Sequence, residues 1–200
     1  NTGGVEITLG KEMIRTPVDD AIGYIKKTVI GDVMNIKKVR VDKEGTGMGW
    51  GAVYAQYLES MDQIGEQGNG LSVSRQLYKG DEALNESAPL KVGDRITVRL
   101  TVKADRDMDF VQIKDDRAAC MEPLQAVSGF RWGNGLGYYQ ATKDASTQFF
   151  IDQMRKGTYV IEYQVYVNRT GEYQAGIATV QSAYAPEFGG HTRGYRVMVE

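Results

Sequence analysis

The sequence predicts an all-β protein in which an antiparallel β-sandwich follows a smaller β unit. Strand-forming side chains dominate the composition, because 19 Val and 12 Ile stand against 9 Leu, and 12 of the 19 aromatic residues are Tyr. Strict alternation is the second observation, clearest over 96–104, where aliphatic residues alternate with Thr, Arg and Lys. Similar stretches recur along the chain between polar, glycine-containing segments. Each such strand places one face in a core and the other in water.

The first predicted strand begins near the N-terminus. Val5, Ile7 and Leu9 alternate with other residues, and a second β-rich run covers 33–41. Residues 50–64 are ambiguous, because their apolar positions recur at helical spacing whereas several of them are Val and Tyr, which favour strands. Periodicity there favours a helix, and composition favours a strand.

A polar segment, 66–70, separates the two predicted units. It contains two glycines and no apolar side chain that could be buried. We therefore expect a first β unit over 1–66 and a sandwich over 67–200, with an exposed linker between them.

The second unit carries the strongest strand signals. Leu71, Val73 and Leu77 alternate with polar residues ahead of the strand at 96–104. Alternating stretches on both sides of 168–171 predict a hairpin, in which Gly171 supplies the positive φ of a short turn. Residues 195–199 form a natural last strand.

Charge and composition exclude several classes of function. A total of 24 basic and 26 acidic residues gives a net charge of −2, which offers no basic surface for nucleic acid or anionic lipid. No apolar run approaches the ~18–20 residues that cross a bilayer. Residues 47–52 fit a loose dinucleotide-binding pattern, but a β-dominated chain lacks the alternating strands and helices that such a site requires. We expect no cofactor, no nucleic-acid partner and no membrane insertion of this segment.

Residues suited to catalysis are scarce. Cys120 and His191 are the only cysteine and histidine, and Cys120 lies in an apolar stretch typical of an inert buried thiol. Asp105, Asp107 and Asp109 imitate the spacing of a calcium loop, but an aromatic residue follows where that loop requires glycine. We therefore expect neither an enzyme nor a metal site.

The most unusual stretch, 129–140, interleaves aromatic residues with glycine. Its candidate binding residues are Trp132, Tyr138 and Tyr139. Three structures fit this composition: a stacking platform for sugars, a protein-binding loop, or a buried plug over the end of the sandwich. A carbohydrate- or protein-binding module that uses this loop is therefore one functional hypothesis.

Five short motifs carry a resemblance to a known family. They are LKVGD at 90–94, KDDRAA at 114–119, GTY at 157–159, GEY at 171–173 and YAPE at 184–187. In this order they resemble the last macroglobulin-like domain of bacterial alpha-2-macroglobulins, the counterpart of the receptor-binding domain of the animal proteins. The resemblance covers most of 70–200. More weakly, 45–57 resembles the returning strand of the CUB-like domain that precedes it.

The resemblance implies a macroglobulin or fibronectin-III-like sandwich after a CUB-like unit, with a strand over 50–58. It implies the C-terminal end of a larger exported bacterial protein, in the periplasm or cell envelope, that begins after the thioester domain. Such proteins trap proteases with a bait region and a reactive thioester and are not enzymes. Neither feature lies here, since Met-Glu-Pro follows Cys120 where the thioester motif has x-Glu-Gln. The implied role is a non-catalytic scaffold that contacts the helical thioester-type domain and other macroglobulin domains, and that meets target proteases through the intact protein.

The same resemblance implies a role for the last of these motifs. Pro186 fixes its own φ and biases the preceding residue toward extended conformations, so Tyr184 is presented on a stiff loop at one end of the sandwich. In the bacterial family, the matching tyrosine rests against the thioester domain. This chain carries Ala183 where a larger side chain often precedes that tyrosine. Tyr184, Pro186 and Glu187 are thus the expected domain contact, and the alternative is that Tyr184 packs on its own domain.

Overall fold

The structure is a computed structural model that describes residues 5–9, 11–15, 26, 28–30, 36, 38–54, 56, 58, 60, 64–85 and 88–200. Every regular element within these residues is a β-strand, and the paired strands run antiparallel. The predicted all-β, antiparallel architecture is confirmed. In the described part of the chain, we find no helix of the length and apolar character needed to span a membrane. Residues 1–56 and 57–200 form two separate compact units.

The part of the first unit that the structure describes forms a three-stranded antiparallel sheet. Its central strand is β1 (Val5–Leu9), which pairs with β2 (Glu12–Arg15) and with β3 (Val39–Lys43). The predicted strand at the N-terminus is confirmed. The β-rich run predicted over 33–41 becomes a strand only from its last three residues onward, and 33–35 and 37 lie outside the described residues.

The strand that the resemblance implied over 50–58 is not present in the residues described there. Residues 44–54, 56 and 58 form neither strand nor helix. Trp50 and Tyr54 are 91% and 92% exposed. Without a partner strand or an apolar surface to cover them, strand-forming side chains do not by themselves make a strand.

Within its described residues, the second unit contains fourteen strands. They are β4 (Gln67–Asn69), β5 (Leu71–Lys79), β6 (Glu82–Ala83), β7 (Arg95–Ala104), β8 (Met108–Asp116), β9 (Met121–Pro123), β10 (Gly129–Gly133), β11 (Leu136–Thr142), β12 (Ser146–Met154), β13 (Gly157–Val167), β14 (Gly171–Ala175), β15 (Ala178–Ser182), β16 (Gly189–His191) and β17 (Tyr195–Val199).

Twelve of these strands form one continuous sheet with the order β10-β11-β12-β8-β15-β16-β4-β5-β7-β13-β9, and β6 pairs with β5. The sheet folds back on itself, because side chains of β5 and β13 contact Asp115 of β8 although other strands separate them in the sheet order. Its two halves are the layers of a β-sandwich. The remaining strands, β14 and β17, form a separate antiparallel pair.

The core lies between the layers. In β7, Ile96, Val98, Leu100 and Val102 are at most 2% exposed, whereas the residues between them are half-buried or exposed. The predicted two-residue alternation of this strand is confirmed. Each fully buried aliphatic side chain contributes about 1.5–3 kcal/mol, so the alternation of β7 makes it a central stabilising element.

The predicted hairpin across 168–171 is wrong, although strands do lie on both sides of it. β13 pairs with β7 along one edge and with β9 along the other. Since both edges of β13 are occupied, β14 pairs with β17 instead. Gly171, with φ of 131°, begins β14, at the point where the chain turns away from β13 toward β17.

The segment 66–70 is not an open linker. Gly68 of β4 pairs with Gly190 of β16, and Gly70, with φ of 68°, turns the chain into β5. A Cβ added at Gly190 would lie 2.7 Å from the carbonyl oxygen of Leu71, so only glycine allows this close approach. The domain assignment 1–66 and 67–200 stays a prediction.

A buried polar cluster joins the two layers. The Arg75 guanidinium on β5 donates to Asp115 of β8 at 2.5 Å and also to the carbonyl of Gly176. The Tyr163 hydroxyl on β13 donates to the other oxygen of Asp115 at 2.7 Å. The Arg75 and Asp115 side chains are only 5% and 1% exposed. Two charges removed from water in this way are tolerated because they neutralise each other and their hydrogen-bonding atoms have partners.

Chymotrypsin should cleave the chain after Trp50 or Tyr54 before it cleaves within β7. Both side chains are almost fully exposed in a segment without regular structure, whereas β7 has a partner strand on each side. Mass spectrometry of early digestion products identifies the first site. First cleavage at 66–70 would instead favour the predicted linker there.

Asp115→Ala should destabilise the protein by about 3–5 kcal/mol, because it leaves the Arg75 guanidinium buried without its counter-charge. The double variant Arg75→Met with Asp115→Leu should recover much of that loss. Glu162→Ala is the matched control, since its partner Arg99 and Glu162 itself are both 41% exposed, and it should cost less than ~1 kcal/mol. Urea unfolding measures the free energy of unfolding of all three variants. A small effect of Asp115→Ala would show that the cluster does not hold the layers together.

Alkaline pH should weaken the fold through Tyr163. Burial first, and then the Asp115 carboxylate, raise the pKa of Tyr163 well above its usual range. The folded state therefore favours the neutral phenol, and this contribution is complete below pH ~10 and is lost as pH rises further. Phenolate absorbance should show one tyrosine that ionises only on unfolding, and Tyr163→Phe should reduce the alkaline loss of stability. An unchanged alkaline unfolding profile in Tyr163→Phe would contradict this assignment.

Candidate functional site

The loop 183–188 connects β15 to β16, and hydrogen bonds fix its backbone. The Phe188 amide donates to the Ala185 carbonyl at 2.9 Å, and the Ser182 amide donates to the Phe188 carbonyl at 3.0 Å. From β4, Asn69 Nδ2 donates to the Glu187 carbonyl at 2.7 Å. The loop is therefore a rigid platform at the end of two strands.

Tyr184 projects from this loop with 78% of its surface exposed. Its ring makes an edge-to-face contact with Phe110, at 5.0 Å between centroids. Phe110 is itself 47% exposed and has φ of 53°, a conformation that is rare for a bulky residue. The Ala183 amide donates to the Phe110 carbonyl at 2.9 Å and holds the two residues together. Tyr184 thus contacts the Phe110 ring of its own domain but is not part of the core of that domain.

Pro186 and Glu187 lie beside Tyr184 on the same loop, and both are exposed. The Pro186 carbonyl accepts a hydrogen bond from Gln181 Nε2 at 3.3 Å. The structure therefore brings together all three residues of the predicted domain contact. Whether they contact another domain stays a proposal.

The aromatic–glycine stretch forms β10 and β11, a hairpin whose Asn134 and Gly135 both have positive φ. Trp132 is 80% exposed. Its indole lies against Gly137, where an added Cβ would stand 2.8 Å from two ring carbons. Phe130 is 79% exposed, so the hypothesis of a buried plug is wrong. The hairpin presents these rings to solvent because Gly137 leaves room for Trp132 to lie flat on the outer surface of the sheet.

The three predicted binding residues of this hairpin do not share a face. Phe130 pairs with Tyr139, and Tyr139 pairs with Phe150, so these rings lie with Trp132 on the outer face. Tyr138 points the other way, and its ring contacts the buried Phe149 at 5.6 Å between centroids. Burial raises the pKa of Tyr138.

Sequence reasoning missed Phe110, Phe130 and Phe150 as surface residues. Alternation could have found Phe150, since Phe149 precedes it and β12 predicts opposite faces for neighbouring residues. No sequence signal predicts the exposure of Phe110, because it depends on a positive φ at a non-glycine residue.

The residues considered for catalysis are not assembled into a site. Cys120 is fully buried before β9, at one end of the sheet order, and His191 lies on β16 within the other half. Burial raises the pKa of Cys120 and so disfavours the reactive thiolate.

The acidic cluster is engaged in local contacts. Asp105 pairs with the neighbouring Arg106 at 2.9 Å, and Asp107 accepts a hydrogen bond from the Lys156 amide at 2.7 Å. Among the described residues, no group of three acidic, His or Cys side chains could hold a metal ion.

Comparison with known proteins identifies relatives of this architecture. A family model described as "Bacterial Alpha-2-macroglobulin MG10 domain" matches residues 70–187, more than half of the chain. A Dictyostelium discoideum protein named "Circularly permutated Ras protein 2" is 27% identical over 166 residues, which are 80% of this chain and 4% of that protein.

Solved structures show the same fold. Salmonella alpha-2-macroglobulin reacted with methylamine matches 98% of this chain and 13% of its own chain, at a TM-score of 0.57 and 16% identity. Escherichia coli alpha-2-macroglobulin activated by porcine elastase matches 99% of this chain and 18% of its own, at a TM-score of 0.59 and 13% identity. The native E. coli protein from domain MG7 to the C-terminus matches 98% of this chain and 33% of its own chain, at a TM-score of 0.57 and 13% identity. The chain spans a minor part of each of these relatives.

Proposed function

This chain belongs to the bacterial alpha-2-macroglobulin MG10 domain family, and from that premise we propose that it is a non-catalytic scaffold and docking module of a larger protease-trapping protein. Its partners are the helical thioester-type domain and the other macroglobulin domains of the same parent chain. Target proteases meet it through the intact protein, which is exported to the periplasm or cell envelope. The elastase-activated form of the E. coli relative supports the link to proteases.

The observation that carries the proposal is the exposure of Tyr184 on a fixed loop. A large aromatic side chain that is 78% exposed contributes little to its own core. Burying roughly 150 Å² of such a ring against a partner gains about 3–4 kcal/mol before the costs of association. Because the loop backbone is already fixed, little conformational entropy is lost on docking.

Pro186 and Glu187 complete the contact. Pro186 keeps the loop stiff, and Glu187 is an exposed carboxylate on the same loop as Tyr184. An aromatic centre with a polar rim is the usual composition of a protein interface.

Tyr184→Ala in the isolated chain should change the free energy of unfolding by no more than ~1.5 kcal/mol, since only the edge-to-face contact with Phe110 is lost. In the full-length parent protein, the same change should loosen docking of the neighbouring helical domain. Hydrogen exchange followed by mass spectrometry reports this as faster exchange in that domain.

Tyr166→Ala is the matched control, because Tyr166 is a 39% exposed aromatic residue on β13, in the other layer. It should leave exchange in the helical domain unchanged. A large loss of stability of the isolated Tyr184→Ala chain with unchanged docking in the parent would show that Tyr184 serves only its own domain.

A further inference from the structure

The strand β10 forms one end of the twelve-stranded sheet, where β11 is its neighbour in the order of the described strands. Among the described residues, no backbone hydrogen bond joins 129–133 to any segment other than β11. A strand in this position presents a row of unpaired amide and carbonyl groups on its outer side. Gly129 and Gly133 end the strand, and an added Cβ at Gly133 would meet nothing within 4 Å. The backbone of β10 is therefore accessible to another strand.

The two ends of the sheet differ in how they are protected. At the other end, β9 has three residues and includes Pro123, which has no amide to donate. Short edge strands and proline are two devices that prevent edge-to-edge pairing. β10 is longer, contains no proline and carries Phe130 and Trp132, which are 79% and 80% exposed. An added strand would cover both rings on the outer face with its own alternate side chains.

The positive charge of the hairpin determines which kind of strand can pair with β10. Residues 124–143 contain Arg131 and Lys143 and no carboxylate, although the whole chain has a net charge of −2. Arg131 is exposed in the middle of β10, and its guanidinium donates to the Val127 carbonyl at 3.4 Å. Antiparallel pairing of two copies centred on this residue would place one Arg131 opposite the other, which is destabilising. An acidic side chain opposite Arg131 is favourable instead.

From this geometry we propose that β10 is a docking edge for an extended segment of a second protein. The segment adds to the sheet as a strand and carries an acidic residue opposite Arg131 between two apolar residues that cover Phe130 and Trp132. Backbone hydrogen bonds supply the attachment, and the alternate side chains supply the specificity.

This edge is separate from the Tyr184 loop. Three strands, β11, β12 and β8, lie between β10 and β15, so the two are roughly 19 Å apart at ~4.8 Å per strand. A domain docked at Tyr184 leaves β10 open, and the proposal does not rest on the proposed function. A sugar platform fits less well, because the neighbouring Phe130 and Tyr139 rings are inclined at 75° and offer no common flat surface.

The test uses a capped synthetic peptide, Thr-Val-Glu-Val-Thr, with backbone amide NMR of the 200-residue chain and competition binding to the full-length parent. We expect shifts confined to β10 and β11 and contacts between strand protons of the peptide and of 129–133. N-methylation of the two valines removes backbone donors and should weaken binding about tenfold. Replacing the peptide Glu with Lys should also weaken it.

Arg131→Glu should weaken binding of the Glu peptide about tenfold and strengthen binding of the Lys peptide, because attraction becomes repulsion. Arg155→Glu is the matched control, because the Arg155 side chain is 84% exposed and does not lie on β10. This variant should change the binding of neither peptide. Trp132→Thr is a second variant that keeps a strand-forming residue and should weaken binding of both peptides.

Four outcomes would overturn the proposal. They are no shifts at 129–133, equal binding of the N-methylated peptide, concentration-dependent self-association through β10 without peptide, and binding to the isolated chain that is absent in the parent. A Trp132-dependent interaction with cellohexaose in place of peptide binding would likewise overturn it and favour the sugar platform.

Discussion

The ion pair between Arg75 and Asp115, completed by the Tyr163 hydroxyl, is the interaction on which the sandwich depends. It joins β5, β8 and β13, which the sheet order keeps apart, and so fixes how the two layers face each other. Aliphatic packing alone is tolerant of small shifts between layers, whereas a buried charge pair is not, because each displaced hydrogen bond leaves an unsatisfied group in the core.

The same cluster reaches the candidate site through Gly176. Arg75 donates to the Gly176 carbonyl, and a Cβ at Gly176 would clash with the Cβ of Asp116, so only glycine allows the approach. This contact sets the start of β15, which runs along β8 to the loop that carries Tyr184. A rigid core thus positions an exposed ring, which is how a scaffold gives precision to a docking surface.

One layer of the sandwich carries the two surfaces for which docking is proposed. After β15 a single ring stands on a fixed loop, and at β10 Phe130 and Trp132 are exposed on one face of an edge strand whose Arg131 lies on the other face. The first suits docking of a folded surface and the second suits addition of an extended segment. Under the two proposals, one partner binds at each feature without competition from the other.

The sequence by itself determined the all-β class, the inward and outward faces of β7 and β13, and the family, because two-residue alternation and short motifs depend only on neighbours along the chain. It also placed Tyr184 on a stiff loop, through the local effect of Pro186. Tertiary structure decided the rest. No hairpin forms across 168–171 because β7 and β9 pair with the two edges of β13. Among the described residues of 50–58, no strand forms because no partner strand is present there. The exposure of Phe130 and Trp132 and the pairing of Arg75 with Asp115 likewise depend on which distant strands meet, and long-range pairing is the information that local periodicity does not contain.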